Sequence, residues 1–270
     1  MALVELLILG AIAGFTIYLG LPIARMRSVS PKIKGMLNSA AAGIMLFLLI
    51  DVMGNAFLTT STKVLDALSG KAPLQSALLY LTLLVGGVAL GLLGLVWFED
   101  RFIRTQIHDK GKSANEISDN KAKRIAMMIA IGIGLHNFSE GLAIGQSYAS
   151  GAISLALLLV IGFGLHNATE GFGIAAPLSG LKPRWSFLLL MGLIGGGPTF
   201  LGSLVGGFWV SNAISILFLA LAAGAIIYVI KELLYHGRIH GEGLSVMSFL
   251  IVGFFVGFGT DLLIKFASGG

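Results

Sequence analysis

The sequence predicts an all-α, polytopic membrane protein with eight transmembrane helices in a single domain that spans residues 1–270. Of these residues 56% are hydrophobic and only 11% are charged, whereas a soluble domain carries roughly 25% charged residues. The mean hydropathy is +0.92, and the apolar residues form separate runs of about 20, the length that a membrane-spanning helix needs. The 38 glycines indicate close helix packing, because small residues let helix backbones approach one another.

Eight apolar segments account for most of the chain. The first has Glu5 ahead of its apolar run and no basic residue there, which favours a retained helix over a cleaved signal peptide. The predicted helices, from one to eight, are Leu3–Ala24, Met36–Leu58, Ser76–Phe98, Ile125–Tyr148, Ala152–Leu178, Trp185–Val210, Ala213–Leu234 and Ser245–Phe266.

Basic residues are concentrated on one side of the predicted bundle. Fifteen of the 18 Lys and Arg residues fall in or beside the connections that follow helices one, three, five and seven; the others are Lys63, Lys71 and Lys265. Because cytoplasmic loops are enriched in Lys and Arg, both termini are predicted to lie outside the cytoplasm, in a multi-pass protein of the plasma or inner membrane. The net charge of +5 is therefore a topology signal, and the predicted partner is the lipid bilayer and not a nucleic acid. The sequence is compatible with more than one oligomeric state, and a homodimer is one of them.

The longest connection, residues 99–123, follows helix three and is predicted to be a mobile cytoplasmic loop. Its centre, Asp109–Asn120, is rich in Gly, Ser, Asn and charged residues, a composition typical of mobile segments. The loop could sense or deliver metal, or it could be a solvated linker. Its single histidine, His108, favours the linker.

A His–Glu motif occurs twice in the chain, thirty positions apart. Residues 131–145 are I-G-I-G-L-H-N-F-S-E-G-L-A-I-G, and residues 161–175 are I-G-F-G-L-H-N-A-T-E-G-F-G-I-A. In each copy the His and the Glu are four residues apart, so on a helix both side chains lie on one face. At 1.5 Å per residue, His136 and His166 both fall near the middle of the bilayer, where an ionisable residue indicates a functional site.

Two imidazoles and two carboxylates can form a site for a divalent metal ion. The candidate ligands are His136, Glu140, His166 and Glu170. Their nitrogen and oxygen atoms suit Zn²⁺ and also Cd²⁺, Fe²⁺, Mn²⁺ and Co²⁺, and the lack of cysteine disfavours Cu⁺. The two carboxylates offset the charge of a divalent cation in a medium of low dielectric constant. The alternative is a pair of polar contacts that hold two helices together, but the repetition at matching depth favours metal.

Other motif residues flank the candidate ligands. Asn137 and Asn167 directly follow the histidines and could supply carbonyl ligands or bond the neighbouring backbone. Gly141 and Gly171 directly follow the glutamates, and we predict that they are positions either of close helix packing or of flexibility.

The strings H-N-F-S-E-G and H-N-A-T-E-G, on eight predicted helices with a long third connection, resemble the ZIP (Zrt/Irt-like protein) family of divalent metal transporters. The lack of a His-rich loop is similar to the prokaryotic branch related to GufA. The resemblance implies movement of Zn²⁺ or a similar ion toward the cytoplasm. It also implies that a block of helices one, four, five and six moves against helices two, three, seven and eight. The implied metal ligands, by matched position, are His136, Glu140, His166 and Glu170, with Asn137 and Asn167 at the edge of an adjoining second site.

The chain departs from the family motifs in two respects. A proline usually precedes each motif glutamate, where this chain has Ser139 and Thr169, whose hydroxyls can bond back to the preceding turn and bend the helix. Many prokaryotic members also carry a Glu-Pro in helix six that supplies a carboxylate bridging two metals, where this chain has Gly197-Pro198. Without that carboxylate we predict one tightly bound ion per protomer. The glycine run before Pro198 also predicts a broken helix six.

Three charged residues elsewhere are candidates for the ion pathway. Asp51 lies in the outer half of helix two, where it could attract cations or pair with a donor on a packed helix. Lys231 and Glu232 lie near the inner end of helix seven. Lys231 could pair with a glutamate of the site or extend to the cytoplasmic interface.

These observations favour a metal transporter, which is not an enzyme, over two alternatives. The chain has no nucleotide-binding loop of the G-x-x-x-x-G-K-[ST] type, so it carries no ATP motor of its own. An intramembrane zinc metalloenzyme would activate water on a bound ion, but the H-E-x-x-H motif is absent. A divalent-cation channel or receptor is the other alternative, and a channel would show a flux that does not saturate with metal concentration.

Overall fold

The computed structural model describes residues 2–25, 30–98, 100–101, 114–208, 211–240 and 242–267, and the long elements in these ranges are all α-helices. The eight helices are α1 Ala2–Phe15, α2 Pro31–Leu68, α3 Leu74–Phe98, α4 Ala114–Ala149, α5 Ile153–Ala175, α6 Trp185–Phe208, α7 Asn212–His240 and α8 Gly243–Ala267. Seven described segments are long and apolar enough to cross a membrane, and α8 contributes a shorter apolar run, Gly243–Gly259. The predicted all-α polytopic fold is confirmed.

Helix one differs from its predicted form. It is α-helical only to Phe15 and continues as two 3₁₀ turns, Thr16–Leu19 and Leu21–Arg25. These tighter turns lie against α5, where a Cβ on Gly171 would come within 2.0 Å of the Ile17 carbonyl oxygen. Contact with α5 therefore accompanies the change of helix type, which the continuous apolar run does not reveal.

Helices α2 and α4 are longer than their apolar stretches. The Ser30 hydroxyl accepts a hydrogen bond from the Ile33 amide at 3.3 Å and caps α2 at its proline start, an arrangement favoured at helix N-termini. Helix α4 begins at Ala114, so residues 114–123 of the predicted loop are helical. The greater part of that loop, His108 included, lies outside the described residues.

Helix α6 runs without a break through Pro198, so the break predicted at its glycine run is wrong. Proline has no N–H to donate to the carbonyl four residues earlier, here that of Ile194. A Cβ on Gly134 of α4 would lie 2.4 Å from this carbonyl oxygen, and a Cβ on Gly196 would lie 2.1 Å from the Gly14 oxygen of α1. Close packing on both sides supports a continuous helix where local propensity predicts a break.

The largest hydrophobic cluster lies where helix one, α2, α4, α5, α6 and α7 meet. Buried members from these elements are Ile17, Met45, Ile133, Ile174, Leu188 and Ile226. Ile133 precedes His136 by three residues, and Ile174 follows Glu170 by four. The cluster therefore packs directly beside both motifs and fixes α4 against α5 at their level.

Candidate metal centre

The two motifs meet because α4 and α5 are joined by a tight turn. Gly151 adopts φ +81 in this turn, a left-handed conformation that glycine enters at no steric cost. The Ala152 amide donates to the Ser147 carbonyl at 2.9 Å and closes the reversal. The imidazole rings of His136 and His166 then lie 6.1 Å apart between centroids, with an angle of 75° between their planes.

Three of the predicted ligands converge. The ligand atoms of His136, Glu140 and His166 all lie within 4.8 Å of one another, and the residues are only 4%, 6% and 4% exposed. A Zn²⁺ ion lies about 2 Å from each nitrogen or oxygen ligand. Small side-chain adjustments would therefore bring the three atoms to bonding distance of one ion.

One carboxylate oxygen of the fourth predicted ligand is held by a hydrogen bond. Glu170 is fully buried, and its Oε1 lies 3.7 Å from His166 Nε2. Its Oε2 accepts a hydrogen bond of 2.9 Å from Asn137 Nδ2. The amide thus holds Glu170 at the margin of the three converging ligands.

Several buried polar atoms of the centre lack a hydrogen-bond partner in the described structure. They are His136 Nδ1 and Nε2, His166 Nδ1, Glu140 Oε2 and Glu170 Oε1. The closest approach among the motif pairs, 3.2 Å from His136 Nε2 to Glu140 Oε1, lacks hydrogen-bond geometry. An unsatisfied buried polar group costs roughly 1–3 kcal/mol, and such groups are rare in native proteins. A cluster of them at one point fits a site built to bind a cation.

The two motif asparagines bond the backbone through their amide nitrogens. Asn137 Nδ2 donates to the Gly195 carbonyl at 3.0 Å, and Asn167 Nδ2 donates to the Ala13 carbonyl at 2.8 Å. Both Oδ1 atoms are buried and unpartnered. The two roles considered for these residues are therefore compatible, because each nitrogen anchors the side chain and each oxygen remains free for a cation.

Helix one and α6 contribute groups that the sequence did not single out. The Ala13 carbonyl, at the end of the α-helical part of helix one, also accepts from Thr16 Oγ1 at 2.7 Å. Thr199 of α6 is fully buried, with its hydroxyl 3.5 Å from Asn167 Nδ2. A backbone carbonyl cannot be identified from a sequence pattern, and a lone threonine in an apolar helix is only a weak signal of a functional site.

Of the two roles considered for the glycines that follow the glutamates, the structure shows close packing. A Cβ on Gly141 would lie 2.1 Å from the Thr199 carbonyl oxygen, and one on Gly171 would lie 2.0 Å from the Ile17 oxygen. Glu140 and Glu170 directly precede these glycines. This packing therefore holds Glu140 close to α6 and Glu170 close to helix one.

The candidate pathway residues differ in how far they are buried. Asp51 is partly buried in α2. Lys231 is turned outward, with a 61% exposed side chain whose Nζ lies 2.7 Å from Glu232 Oε1. Glu232 is 6% exposed. This placement fits a lysine that extends to the interface better than one paired with a glutamate of the centre.

A comparison with protein families gives one match to this chain. The family model described as ZIP Zinc transporter matches residues 103–265, which is more than half of the chain and includes both His–Glu motifs. ZIP proteins are transporters of divalent metal ions rather than enzymes. The apolar helices and the buried His/Glu group of this chain accord with a membrane protein that transports metal ions. The chain belongs to the ZIP zinc transporter family.

Proposed function

We propose that this protein carries Zn²⁺ across the membrane toward the cytoplasm, by alternating access around a centre formed by His136, Glu140, His166 and Glu170. The observation that carries the proposal is the convergence of three buried ligands from two antiparallel helices. His166 lies 13 residues into α5, roughly 20 Å along its axis, which corresponds to the interior of a bilayer about 30 Å thick.

The choice of Zn²⁺ rests on ligand chemistry. Imidazole and carboxylate without thiolate suit Zn²⁺, and Cd²⁺, Fe²⁺, Mn²⁺ and Co²⁺ are accepted by the same ligand types. The motifs and the lack of a His-rich loop support placement in the GufA-related branch of the family. The Asn137 and Asn167 oxygens would lie at the edge of the centre, and Asp51 would draw cations toward it.

Glycine contacts support alternating access by two blocks. Within a block of helix one, α4, α5 and α6, glycines lie against neighbouring backbone; for example, a Cβ on Gly202 of α6 would come within 2.2 Å of the Phe138 oxygen of α4. The same holds within α2, α3, α7 and α8, where a Cβ on Gly253 would come within 1.9 Å of the Ala40 oxygen. The backbones of these helices approach closely at glycine, and we expect each tightly packed block to move as a unit.

Contacts between the two blocks are made by side chains. A Cβ on Gly132 of α4 would lie 3.3 Å from the Ala225 Cβ of α7, and one on Gly173 would lie 3.4 Å from Met45 Cε. The Phe138 and Phe218 rings stack with centroids 4.3 Å apart. Side chains can change rotamer as surfaces slide, so the boundary between the blocks is where movement is expected.

Metal uptake by the purified protein in liposomes tests the proposal directly. We expect saturable uptake, scanned over Zn²⁺, Cd²⁺, Fe²⁺, Mn²⁺ and Co²⁺, with Zn²⁺ at the highest ratio of maximal rate to half-saturating concentration. Uptake that rises linearly with metal concentration would favour a channel. Metal-dependent cleavage of a peptide or lipid without uptake would favour the metalloenzyme.

A disulfide across the block boundary should stop transport without preventing metal binding. The chain has no cysteine among its 270 residues, and the 3.3 Å between the two Cβ positions is near the roughly 3.5–4.5 Å of a disulfide. Oxidised Gly132→Cys/Ala225→Cys protein should therefore bind metal but not take it up, and a reductant should restore uptake. The single variants serve as controls. Full uptake by the oxidised double variant would contradict movement at this boundary.

Metal counting should give one tightly bound ion per protomer. Two divalent ions would bring four positive charges against the two of Glu140 and Glu170, and a buried uncompensated charge costs several kcal/mol. In Gly197→Glu we expect a second tight ion, whereas the neutral Gly197→Gln should still bind one. Equilibrium dialysis with elemental analysis measures the ratio, and two ions of equal affinity in the unaltered protein would refute the prediction.

The proposed orientation is testable by labelling single cysteines with an impermeant reagent on intact cells. Ser150 lies in the turn between α4 and α5, and Arg184 precedes α6; both are exposed. Ser150→Cys should be labelled from outside, and Arg184→Cys only after the cells are opened. The reverse pattern would place the termini in the cytoplasm.

A further inference from the structure

An apolar crevice of about 470 Å³ lies between the two blocks. Helix one and α5 form one wall and α2 and α8 form the other; Ile23, Leu37, Ile44 and Thr169 are among the lining residues. The volume falls within the roughly 300–1,000 Å³ of pockets that hold small organic ligands. The lining is almost wholly hydrocarbon, which suits an alkyl chain and not a hydrated ion.

The crevice opens on the outer surface of the bundle. Val252 and Val256 of α8 line it and are 52% and 43% exposed, and Leu19 of helix one is 72% exposed. In a membrane protein this surface faces lipid. The crevice is therefore accessible from the bilayer without any movement of the helices.

Charge at one end of the crevice indicates the kind of lipid. Leu37 lines the crevice, and Lys34 lies three residues earlier on the same face of α2. Lys32 is exposed in the first turn of the same helix. Clustered Lys and Arg beside membrane helices attract anionic headgroups.

The depth of the crevice matches an acyl chain that starts at this level. From Lys34 to Ile44 of α2 is ten residues, roughly 15 Å along the axis, which is about half of the hydrocarbon thickness of a bilayer. We propose that the crevice binds one acyl chain of an anionic phospholipid, whose headgroup lies against Lys34 and Lys32. This lipid site goes beyond the transport function and does not depend on it for binding.

The bound chain would lie directly beside the metal centre. Thr169, in the wall of the crevice, immediately precedes Glu170, and its hydroxyl donates to the His166 carbonyl at 2.7 Å. The opposite wall belongs to α2 and α8, in the other block. Sliding of the blocks would reshape the crevice, so a seated chain would influence the rate of transport.

Native mass spectrometry of the full-length protein in mild detergent tests the binding. Titration with dioleoyl phosphatidylglycerol or dioleoyl phosphatidylcholine should show one retained phosphatidylglycerol and weaker phosphatidylcholine binding. Val252→Trp and Val256→Trp each narrow the crevice and should weaken phosphatidylglycerol binding about tenfold, the equivalent of two unburied methylenes. Val85→Trp is the matched control, because Val85 of α3 is 67% exposed on the lipid-facing surface.

The headgroup contact has its own test. Lys34→Glu should abolish the preference for phosphatidylglycerol, while Lys71→Glu, in the turn after α2, should leave it unchanged. Equal binding of the two lipids to the unaltered protein would contradict the proposed preference for an anionic headgroup. Unchanged phosphatidylglycerol binding in both tryptophan variants would contradict binding of the acyl chain in the crevice.

Transport distinguishes this inference from the proposed function. In vesicles of phosphatidylcholine with and without phosphatidylglycerol, the initial rate of Zn²⁺ uptake should differ for the unaltered protein and for Val85→Trp. This difference should be lost in Val252→Trp. Because an anionic membrane surface concentrates metal equally for all variants, the same variant also controls for that effect. The same difference in all three proteins would overturn the influence on transport, whereas absence of uptake in any vesicle would contradict the proposed function and leave the binding result standing.

Discussion

Glu140→Gln is expected to abolish high-affinity metal binding and uptake. Glu140 is 6% exposed and supplies one of the three converging ligands, and its Oε2 has no hydrogen-bond partner. Glutamine keeps the shape of the side chain but removes the negative charge. Loss of one partner from a buried charge pair costs about 3–5 kcal/mol, so the affinity should fall by about two to four orders of magnitude.

The measurement for Glu140→Gln is metal-dependent thermal unfolding in detergent, together with liposome uptake. Metal at about 100 times its dissociation constant stabilises the unaltered protein by about 2.7 kcal/mol, and this stabilisation should vanish in the variant. Without metal the variant should unfold at the same temperature or higher, because a buried amide costs less than an uncompensated charge. Glu5→Gln, the same change at the exposed start of α1, is the control. A variant that binds metal normally would remove Glu140 from the centre.

Gly202→Ala is expected to destabilise the protein strongly and to weaken the metal centre with it. The added Cβ would lie 2.2 Å from the Phe138 carbonyl oxygen, so α4 and α6 would have to separate by about 1 Å to restore ordinary contact. Overpacking of this kind costs about 1–3 kcal/mol, occasionally more. Separation would also lengthen the bond from Asn137 to the Gly195 carbonyl, which is 3.0 Å.

Gly94→Ala is the matched control for Gly202→Ala. A Cβ on Gly94 of α3 would have nothing within 4 Å, so the same change should stabilise its helix by up to about 1 kcal/mol through helix propensity. The two variants should therefore shift the unfolding temperature in opposite directions. Equal shifts would show that helix propensity, and not contact between α4 and α6, governs the response.

The sequence alone was sufficient for the helical class and for the register of the motifs. A run of apolar residues has few ways to satisfy its backbone in lipid other than a helix. Once it is a helix, a spacing of four residues puts His136 with Glu140, and His166 with Glu170, on shared faces. The short connection before α5 then made the two faces neighbours. These conclusions needed only the helical period and the chain length between motifs.

Only the tertiary structure decided which atoms of the centre remain free for a cation. Asn137 is bonded through nitrogen to Glu170 and to the Gly195 carbonyl, and Asn167 is bonded to the Ala13 carbonyl. These acceptors depend on how α6 and helix one pack against the motifs.

The change of helix one to 3₁₀ turns and the continuity of α6 through Pro198 have the same origin. Each lies where a glycine meets neighbouring backbone, a contact between residues distant in sequence. The local sequence pattern determines the period of a helix, but it does not determine the position of the helix packed against it.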